Sequence, residues 1–368
     1  QSVSARIGRV TGRGLGANIR EVFPAPVTLT LIFLLFLTNT INIGADLSAM
    51  GEAAKMTTGL GGHWWAVGFG LFSLMLQLFM PYHRYVKVLK WLTLVLFAYV
   101  AVLLIVKVDW RAALLGVITP TWKLDAKQIM LVVAVFGTTI SPYLFFWQSS
   151  QEVEEVDGDP AAHALISDPR EARPELLRIR FDTYVGMAFS NLIALAIMVA
   201  TAATLHAHGK TDIATAADAA EALKPVAGQF AFALFSLGII GTGLLAVPVL
   251  AGSAAYAVAE VQGWRSGLEK KPWQAWGFYA VIALAMGLGV IVDFSSLDPI
   301  KALVWSAVIN GVIAVPIMAA TMFIATRKAQ MGVFVATPAQ RIGGWLATAV
   351  MAAAAIAMFV SMATGIGS

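Results

Sequence analysis

Residues 136–155 read FGTTISPYLFFWQSSQEVEE, and the first half of this stretch interrupts an apolar segment near its middle. Pro142 has no amide hydrogen and disfavours helix at Ser141, so the carbonyls of Gly137 and Thr138 are expected to lose their helical partners. Inside a bilayer, such carbonyls are tolerated only where they face protein, water or a ligand. The stretch therefore predicts a helix that is broken at mid-membrane and unwound from Thr138 to Ser141, an arrangement with which many secondary transporters hold an ion.

The composition of the chain is that of a membrane protein. Of its 368 residues, 59% are hydrophobic and only 12% are charged, and the mean hydropathy is +0.78. A soluble domain of this size does not have that balance, which predicts an all-α, polytopic membrane protein with a single transmembrane domain over residues 1–368. We predict about nine spans, at residues 25–48, 64–80, 86–106, 128–149, 183–205, 228–253, 274–293, 300–325 and 342–364.

Positive charge is unevenly distributed between the loops. If residues 1–23 are cytoplasmic, most of the 25 Lys and Arg residues fall on the cytoplasmic side. This pattern explains the net charge of +4 without a nucleic-acid partner, and it predicts a multi-pass protein of the inner (plasma) membrane with a cytoplasmic N-terminal end. The charged segment 151–181 is predicted to be a solvated cytoplasmic loop, although clustered carboxylates also concentrate cations. Nothing in the sequence requires an oligomer.

The sequence lacks the catalytic motifs of known classes of membrane enzyme. The chain has no cysteine, which excludes disulfides and thiolate ligands. Its five histidines lack the His-Glu-x-x-His spacing of metallopeptidases. No His or Lys accompanies Ser141 within a span to activate it as a nucleophile. We therefore predict a protein that is not an enzyme and that needs no cofactor.

Polar residues in other spans are candidates for the neighbourhood of the break. Asn42 and Asp46 lie four residues apart and therefore share one face of the first predicted span. A carboxylate inside a span is costly and usually faces a pathway or a partner, so Asp46 is predicted to be functional. Asn191 and Asn310 are weaker candidates, because a lone asparagine in a span is better explained by a hydrogen bond between helices.

Several stretches resemble the natural resistance-associated macrophage protein (NRAMP) family of divalent-metal transporters. They are SARIGRVTGRGL at residues 4–15, TNTINIGADLSAMGEAA at 38–54, GTTISPYLFFWQSSQEVEE at 137–155 and FDTYVGMAFSNLIALAIMVATAATLHAHG at 181–209. The resemblance implies an inverted-repeat, LeuT-like transporter fold in which the predicted spans correspond to the family's third to eleventh. Because the chain begins abruptly at Gln1 without the family's first two spans, we expect an N-terminally truncated fragment.

The resemblance also implies where the metal site lies. The family's first span supplies an aspartate and an asparagine from an Asp-Pro-Gly-Asn motif that this chain lacks. Where the family typically has Met-Pro-His, this chain has Ser141, Pro142 and Tyr143, and Gln148 stands at the position of the motif's second histidine. A thioether favours transition metals, so a hydroxyl in its place weakens discrimination against hard cations. We expect Mn²⁺ to be transported, with Mg²⁺ as an alternative.

The expected metal ligands are the carbonyl of Thr138 and the side chain of Ser141, directly or through water. The candidates for lining the pathway, supporting the site or carrying protons are Tyr143, Gln148, Asn42, Asp46 and Asn310. Proton coupling is expected to be weak or absent, because the family's acidic position three residues after Asp46 is Ala49 and its histidines are missing.

Other interpretations of the sequence remain open. The stretch around Pro142 also fits a proline kink in a packed helix. A purely structural membrane protein would show no metal-dependent flux. An amino-acid or other small-solute transporter of the same architecture would have the same composition, and transport assays with metals and amino acids would distinguish it.

Overall fold

The computed structural model describes residues 1–59, 61–80, 84, 87, 90–119, 126–210, 213, 215–295 and 298–364. These residues contain helices and no β-strand, which confirms the predicted all-α class. The helices of eight residues or more are α1 Ser2–Thr11, α2 Leu15–Val22, α3 Ala25–Thr58, α4 Gly62–Phe79, α5 Phe97–Ile105, α6 Trp110–Ile118, α7 Ala126–Thr139, α8 Pro142–Gly158, α9 Ala172–Thr204, α10 Ala231–Gln262, α11 Trp276–Asp293, α12 Pro299–Thr326 and α13 Pro338–Thr364. Shorter helical segments are Lys90–Leu96, Pro169–Glu171, His206–His208, Ala216–Ala220, Glu221–Leu223, Lys224–Ala227, Gly228–Phe230 and Lys328–Met331.

In the described chain, 7 helical segments are long and apolar enough to cross a membrane. They are Ala25–Thr58, Ala126–Gly158, Pro169–His208, Ala216–Gln262, Trp276–Asp293, Pro299–Thr326 and Pro338–Thr364. The number becomes 8 if Thr93–Ile105 and Trp110–Gly116, which meet at 118°, form one broken span. The predicted span at 64–80 is α4, an 18-residue helix that is not among the seven. Part of the predicted span at 86–106 lies outside the described residues.

Helix α3 packs against α4, α10, α11 and α12. It has a proline in its first turn, where no helical hydrogen bond is lost, and it ends at Gly59, whose φ of 73° is the left-handed conformation that glycine tolerates. Small residues allow the close approach of its neighbours. A side chain on Gly44 would lie 2.7 Å from Val292 of α11, and one on Gly243 of α10 would overlap Met50. Small residues at helix crossings are typical of membrane proteins.

Two large hydrophobic clusters meet at α8. The first joins α1, α2 and the first half of α3 with α8 and α12. The second joins the remainder of α3 with α4, α8, α10 and α11. Tyr143, at the beginning of α8, packs against both clusters. The chain that follows the break is therefore held in the interior of the helix bundle.

The predicted charged loop at 151–181 is shorter than expected. Helices α8 and α9 occupy most of it, and residues 159–171 connect them. Charged side chains of the two helices pair with each other. Arg178 of α9 lies 2.7 Å from a carboxylate oxygen of Glu152 and 2.9 Å from one of Glu155, both on α8. Some of the charges in this segment therefore join two helices, while others, such as Asp157 and Arg173, remain exposed.

Candidate metal site

The helix breaks between α7 and α8, as predicted, but over fewer residues than expected. Helix α7 ends at Thr139 and α8 begins at Pro142, so Ile140 and Ser141 separate them. Ser141 is extended, with φ −79° and ψ 123°, as the residue before a proline prefers. Thr138, which we predicted to be unwound, remains helical. The two helices together still form one 33-residue span.

The Ser141 hydroxyl bonds to the carbonyls that the proline was expected to leave without partners. It lies 3.0 Å from the Gly137 carbonyl oxygen and 3.1 Å from the Thr138 carbonyl oxygen, so its single hydrogen is shared between these two acceptors. Ser141 is buried, with 3% of its surface exposed. Because a serine hydroxyl has one hydrogen and two lone pairs, its oxygen can still accept, and the Tyr143 hydroxyl is one group that interacts with it. Each carbonyl also keeps a second lone pair.

Thr138 contributes its backbone to this group and not its side chain. The side chain is exposed in the described structure, and its hydroxyl donates to the Val135 carbonyl at 2.9 Å. This geometry leaves the carbonyl as the one oxygen of Thr138 that lies beside the Ser141 hydroxyl. The same atom was predicted from the sequence as a ligand.

Gly137 brings α7 into backbone contact with α12. A side chain at this position would overlap the Ala307 carbonyl oxygen and would lie 2.6 Å from the Gly311 amide nitrogen. The approach is reciprocal, because a side chain on Gly311 would lie 2.6 Å from the Val133 carbonyl oxygen. Glycines on both helices therefore set the position of the break against α12.

Asn310, the neighbour of Gly311 on α12, pairs with Asn42 of α3. Asn42 Nδ2 donates to Asn310 Oδ1 at 3.1 Å, and Asn310 Nδ2 donates to Asn42 Oδ1 at 3.2 Å. Both side chains are buried. The pair confirms the interpretation of Asn310 as a hydrogen bond between helices, and it places Asn42 beside the helix that holds Gly137.

Asp46 lies one turn after Asn42 on α3 and is only partly buried. Its carboxylate interacts electrostatically with the Tyr143 hydroxyl, which also interacts with Ser141. The structure thus brings together three of the predicted residues from α3 and α8. A carboxylate near a break whose oxygens have spare lone pairs is an arrangement that suits a cation.

Gln148 lies two turns after Ser141 on α8. Its Oε1 atom is buried and accepts no hydrogen bond from the described residues. An amide oxygen without a partner is costly to bury. Gln148 therefore keeps an acceptor that fits its predicted place on the pathway, although the structure does not place it against Ser141.

Two further asparagines have partners away from the break. Asn191 of α9 is exposed and donates to the Met187 carbonyl of its own helix at 2.8 Å, so the predicted hydrogen bond to another helix is wrong. Asn39 of α3 donates to the Leu250 carbonyl of α10 at 2.9 Å. Successive polar residues of α3 therefore bond to different helices, which a periodic pattern in one helix does not reveal.

Two cavities, each of about 220 Å³, lie beside the C-terminal half of α3. Glu52 and Pro299 line both of them. His63 and the buried Asp293 line one of the two cavities, and His63 Nδ1 lies 2.9 Å from Asp293 Oδ2. Sequence analysis assigned no role to Asp293 or Glu52, because they are far apart in the chain and belong to no common motif. Carboxylates around a cavity attract cations, so these cavities form a candidate approach to the site.

The described residues contain no group of three or more His, Cys, Asp or Glu side chains that could hold a metal ion. A cation at the break would therefore be bound by carbonyl, hydroxyl and amide oxygens, with at most a carboxylate nearby. Such oxygen donors suit hard divalent cations, which often keep part of their water.

Comparison with known proteins decides the family. Residues 1–361 match the family described as natural resistance-associated macrophage protein-like, or Nramp. The chain belongs to this family. Among similar Nramp proteins, the divalent metal cation transporter MntH of Acidiphilium cryptum is 27% identical over 349 residues, which cover 90% of this chain and 73% of that protein. MntH of Klebsiella pneumoniae strain 342 is 27% identical over 360 residues, covering 95% of this chain and 80% of that protein.

Solved Nramp structures have the same fold. The Eremococcus coleocola manganese transporter, in complex with an aromatic bis-isothiourea substituted compound, matches with a TM-score of 0.71 and 15% identity, over 99% of this chain and 77% of that chain. A histidine-to-alanine mutant of the same transporter matches with a TM-score of 0.69 and 16% identity, over the same shares of the two chains. The predicted LeuT-like transporter fold is therefore confirmed. As a member of a family of metal-ion transporters, this Nramp protein is a multi-pass inner-membrane protein and not an enzyme, and metal ions are its substrates and not cofactors.

Proposed function

We propose that this Nramp protein transports Mn²⁺ across the membrane by alternating access, and that it also accepts Mg²⁺. The observation that carries the proposal is the break before Pro142, where the buried Ser141 hydroxyl lies between two backbone carbonyls and interacts with Tyr143, which also interacts with Asp46. The names of similar proteins support it, since two are called divalent metal cation transporters and one is called a manganese transporter.

The Ser141 oxygen and the Thr138 carbonyl bind the ion in this proposal. Tyr143 and Gln148 line the path along α8, and the Asn42–Asn310 pair limits the space between α3 and α12. All of these groups offer oxygen, which Mn²⁺ and Mg²⁺ both accept. A serine at position 141 supplies no thioether, so the preference for transition metals over Mg²⁺ is weak.

With the N-terminal end in the cytoplasm, the two cavities lined by Glu52 would form the outer entrance for ions. If the N-terminal end is cytoplasmic, the C-terminal half of α3 lies toward the outside. The carboxylates of Glu52 and Asp293 then raise the local concentration of dications at the outer end of the path. We propose that ions approach Asp46 and Ser141 from these cavities, and that a single chain without a nucleic-acid or protein partner is sufficient.

Replacement of Ser141 by alanine tests the site. We expect the KM for Mn²⁺ to rise roughly tenfold, because the variant loses a ligand oxygen and leaves two carbonyls without their donor. Uptake is measured in liposomes that contain the purified protein and a metal-sensitive fluorophore, with Mn²⁺, Mg²⁺ and Ca²⁺ compared. The matched control is Ser236→Ala on α10, which removes another buried hydroxyl, one that donates to the Ala53 carbonyl at 2.7 Å.

The outcomes of this experiment are distinct. Ser236→Ala is expected to lower thermal stability slightly and to leave the KM unchanged. An unchanged KM in Ser141→Ala would contradict the proposed site, and uptake of an amino acid in place of Mn²⁺ would contradict the proposed substrate. Equal uptake of Mn²⁺ and Mg²⁺ by the unaltered protein would support weak discrimination.

Proton movement is a separate prediction. We expect Mn²⁺ entry without matching acidification of the liposome interior, because Asp46 is followed one turn later by Ala49 and the motif histidines are absent. A pH-sensitive dye inside the same liposomes makes the measurement, with vesicles treated with a proton ionophore as the control for dye response. Acidification that follows Mn²⁺ entry in proportion would contradict the prediction.

A further inference from the structure

The polar residues in the second half of α8 bond to other helices around it. Ser150 donates its hydroxyl to Glu260 of α10 at 2.6 Å. Glu152 pairs with Arg178 of α9 at 2.7 Å. Glu154 faces α10, where it contacts a tyrosine. The motif SSQEVEE, which sequence analysis interpreted as the start of a solvated loop, thus bonds α8 to two neighbouring helices.

Tyr256 of α10 is the most enclosed member of this group. It is 1% exposed, and its ring packs on Phe278 with the centroids 4.8 Å apart and on Trp147 of α8 with the centroids 6.0 Å apart. Its hydroxyl donates to Glu154 Oε1. The Leu268 amide donates to the same carboxylate oxygen at 2.7 Å and lies 3.3 Å from the tyrosine hydroxyl.

This network resists displacement of α8. A half-buried carboxylate that loses its donors is left with a large desolvation cost, so sliding or rotating α8 would break bonds that no other described group replaces. The glycine at position 252 also admits the Trp147 ring, because a side chain there would lie 2.7 Å from the ring. The hydrogen bonds and the ring contact together fix the position of α8 along its axis relative to α10.

The position of α8 along its axis determines where Ser141 lies. Ser141 immediately precedes the first residue of this 17-residue helix. Glu154 is about 20 Å further along the helix axis, at 1.5 Å per residue. A rigid helix transmits a shift at one end to the other, and misplacement of a ligand by a fraction of an ångström weakens a metal site.

We propose that Tyr256 and Glu154 are positioning residues for the cation site, acting through α8 to hold Ser141 at the distance that binding requires. This inference rests on the proposed transport function. Neither residue contacts the ion. Their effect is on affinity, because they set the geometry of Ser141 and the Thr138 carbonyl before the ion arrives.

The experiment measures the KM for Mn²⁺ uptake in liposomes for Tyr256→Phe, Glu154→Gln and the double variant. Tyr256→Phe keeps the ring contacts with Trp147 and Phe278 and removes only the hydroxyl. We expect each single variant to raise the KM roughly threefold to tenfold, with little change in the maximal rate per folded protein. The double variant is expected to match the single variants, since both residues belong to one interaction.

The control is Glu155→Gln, on the same helix. Glu155 has a 55% exposed side chain and pairs with Arg178, so its loss is expected to leave the KM unchanged. Thermal unfolding of every variant in detergent separates affinity from stability. A Tyr256→Phe protein with a lowered unfolding temperature and an unchanged KM would overturn the inference, as would additive effects in the double variant.

Failure of this inference differs from failure of the proposed function. If the unaltered protein shows no Mn²⁺ uptake, or if Ser141→Ala has no effect, the transport site itself is wrong. If Ser141→Ala raises the KM while Tyr256→Phe and Glu154→Gln behave like Glu155→Gln, the site stands and only the positioning role is wrong.

Discussion

Gly137→Ala is expected to abolish most Mn²⁺ uptake and to destabilise the protein by roughly 3 kcal/mol or more. The added methyl group would overlap the Ala307 carbonyl oxygen and approach the Gly311 amide nitrogen to 2.6 Å. Both obstacles are backbone atoms, so no side-chain rotation relieves the clash and α7 must move away from α12. The break would move with α7. Thermal unfolding in detergent and uptake in liposomes measure the two effects.

Gly186→Ala is the matched control for this substitution. Gly186 lies on α9, and nothing in the described structure is within 4 Å of where its side chain would be. Alanine favours helix over glycine by about 1 kcal/mol, so this variant is expected to be as stable as the unaltered protein or slightly more so. Equal unfolding temperatures for the two variants would contradict the packing described for Gly137.

Glu260→Ala is expected to have the second-largest effect, a loss of roughly 3 kcal/mol in the free energy of unfolding. The Glu260 carboxylate accepts the Ser150 hydroxyl at 2.6 Å and the Gly16 amide at 2.8 Å. In this turn, which reads GRGLG at residues 12–16, a side chain on Gly14 would overlap the Glu260 carboxylate. Alanine at position 260 leaves the Gly16 amide at the start of α2 and the Ser150 hydroxyl on α8 without their acceptor.

Two further variants, Glu260→Gln and Glu21→Ala, serve as controls for Glu260→Ala. Glu260→Gln keeps the size of the side chain and one acceptor oxygen, so it is expected to cost less than Glu260→Ala. Glu21→Ala removes an exposed carboxylate that pairs with Arg13 at 2.9 Å, an ion pair expected to be worth less than about 1 kcal/mol. A loss in Glu260→Ala no larger than in Glu21→Ala would show that the carboxylate does not hold the turn.

The location of the break could be read from the sequence, but its internal bonding could not. Pro142 lacks an amide hydrogen in any fold, so a disruption at Ser141 follows from local chemistry. The sequence does not show that the Ser141 side chain turns back to the Gly137 carbonyl, because a serine rotamer depends on its surroundings. The predicted unwinding at Thr138 was wrong, because the helix continues to Thr139.

The partners of the polar residues were the least predictable feature. Asn42 and Asn310 are 268 positions apart in the chain, yet each side-chain amide donates one hydrogen bond to the other. Glu154 and Tyr256 are separated by 102 positions. Side-chain spacing within one helix shows which residues share a face, but it does not show which helix covers that face.

By itself, the sequence determined the class of the protein, the approximate positions of most spans and the point at which one span breaks. These features follow from hydropathy, which forces the backbone to bond within each helix, and from the missing amide of Pro142. Tertiary structure alone decided that Glu152 and Glu154 bond to neighbouring helices, that Asn191 bonds within its own helix and that Tyr143 interacts with both Asp46 and Ser141. The reason is physical: backbone bonds in a helix are local, whereas a polar side chain in a membrane protein depends on whichever helix packs against it.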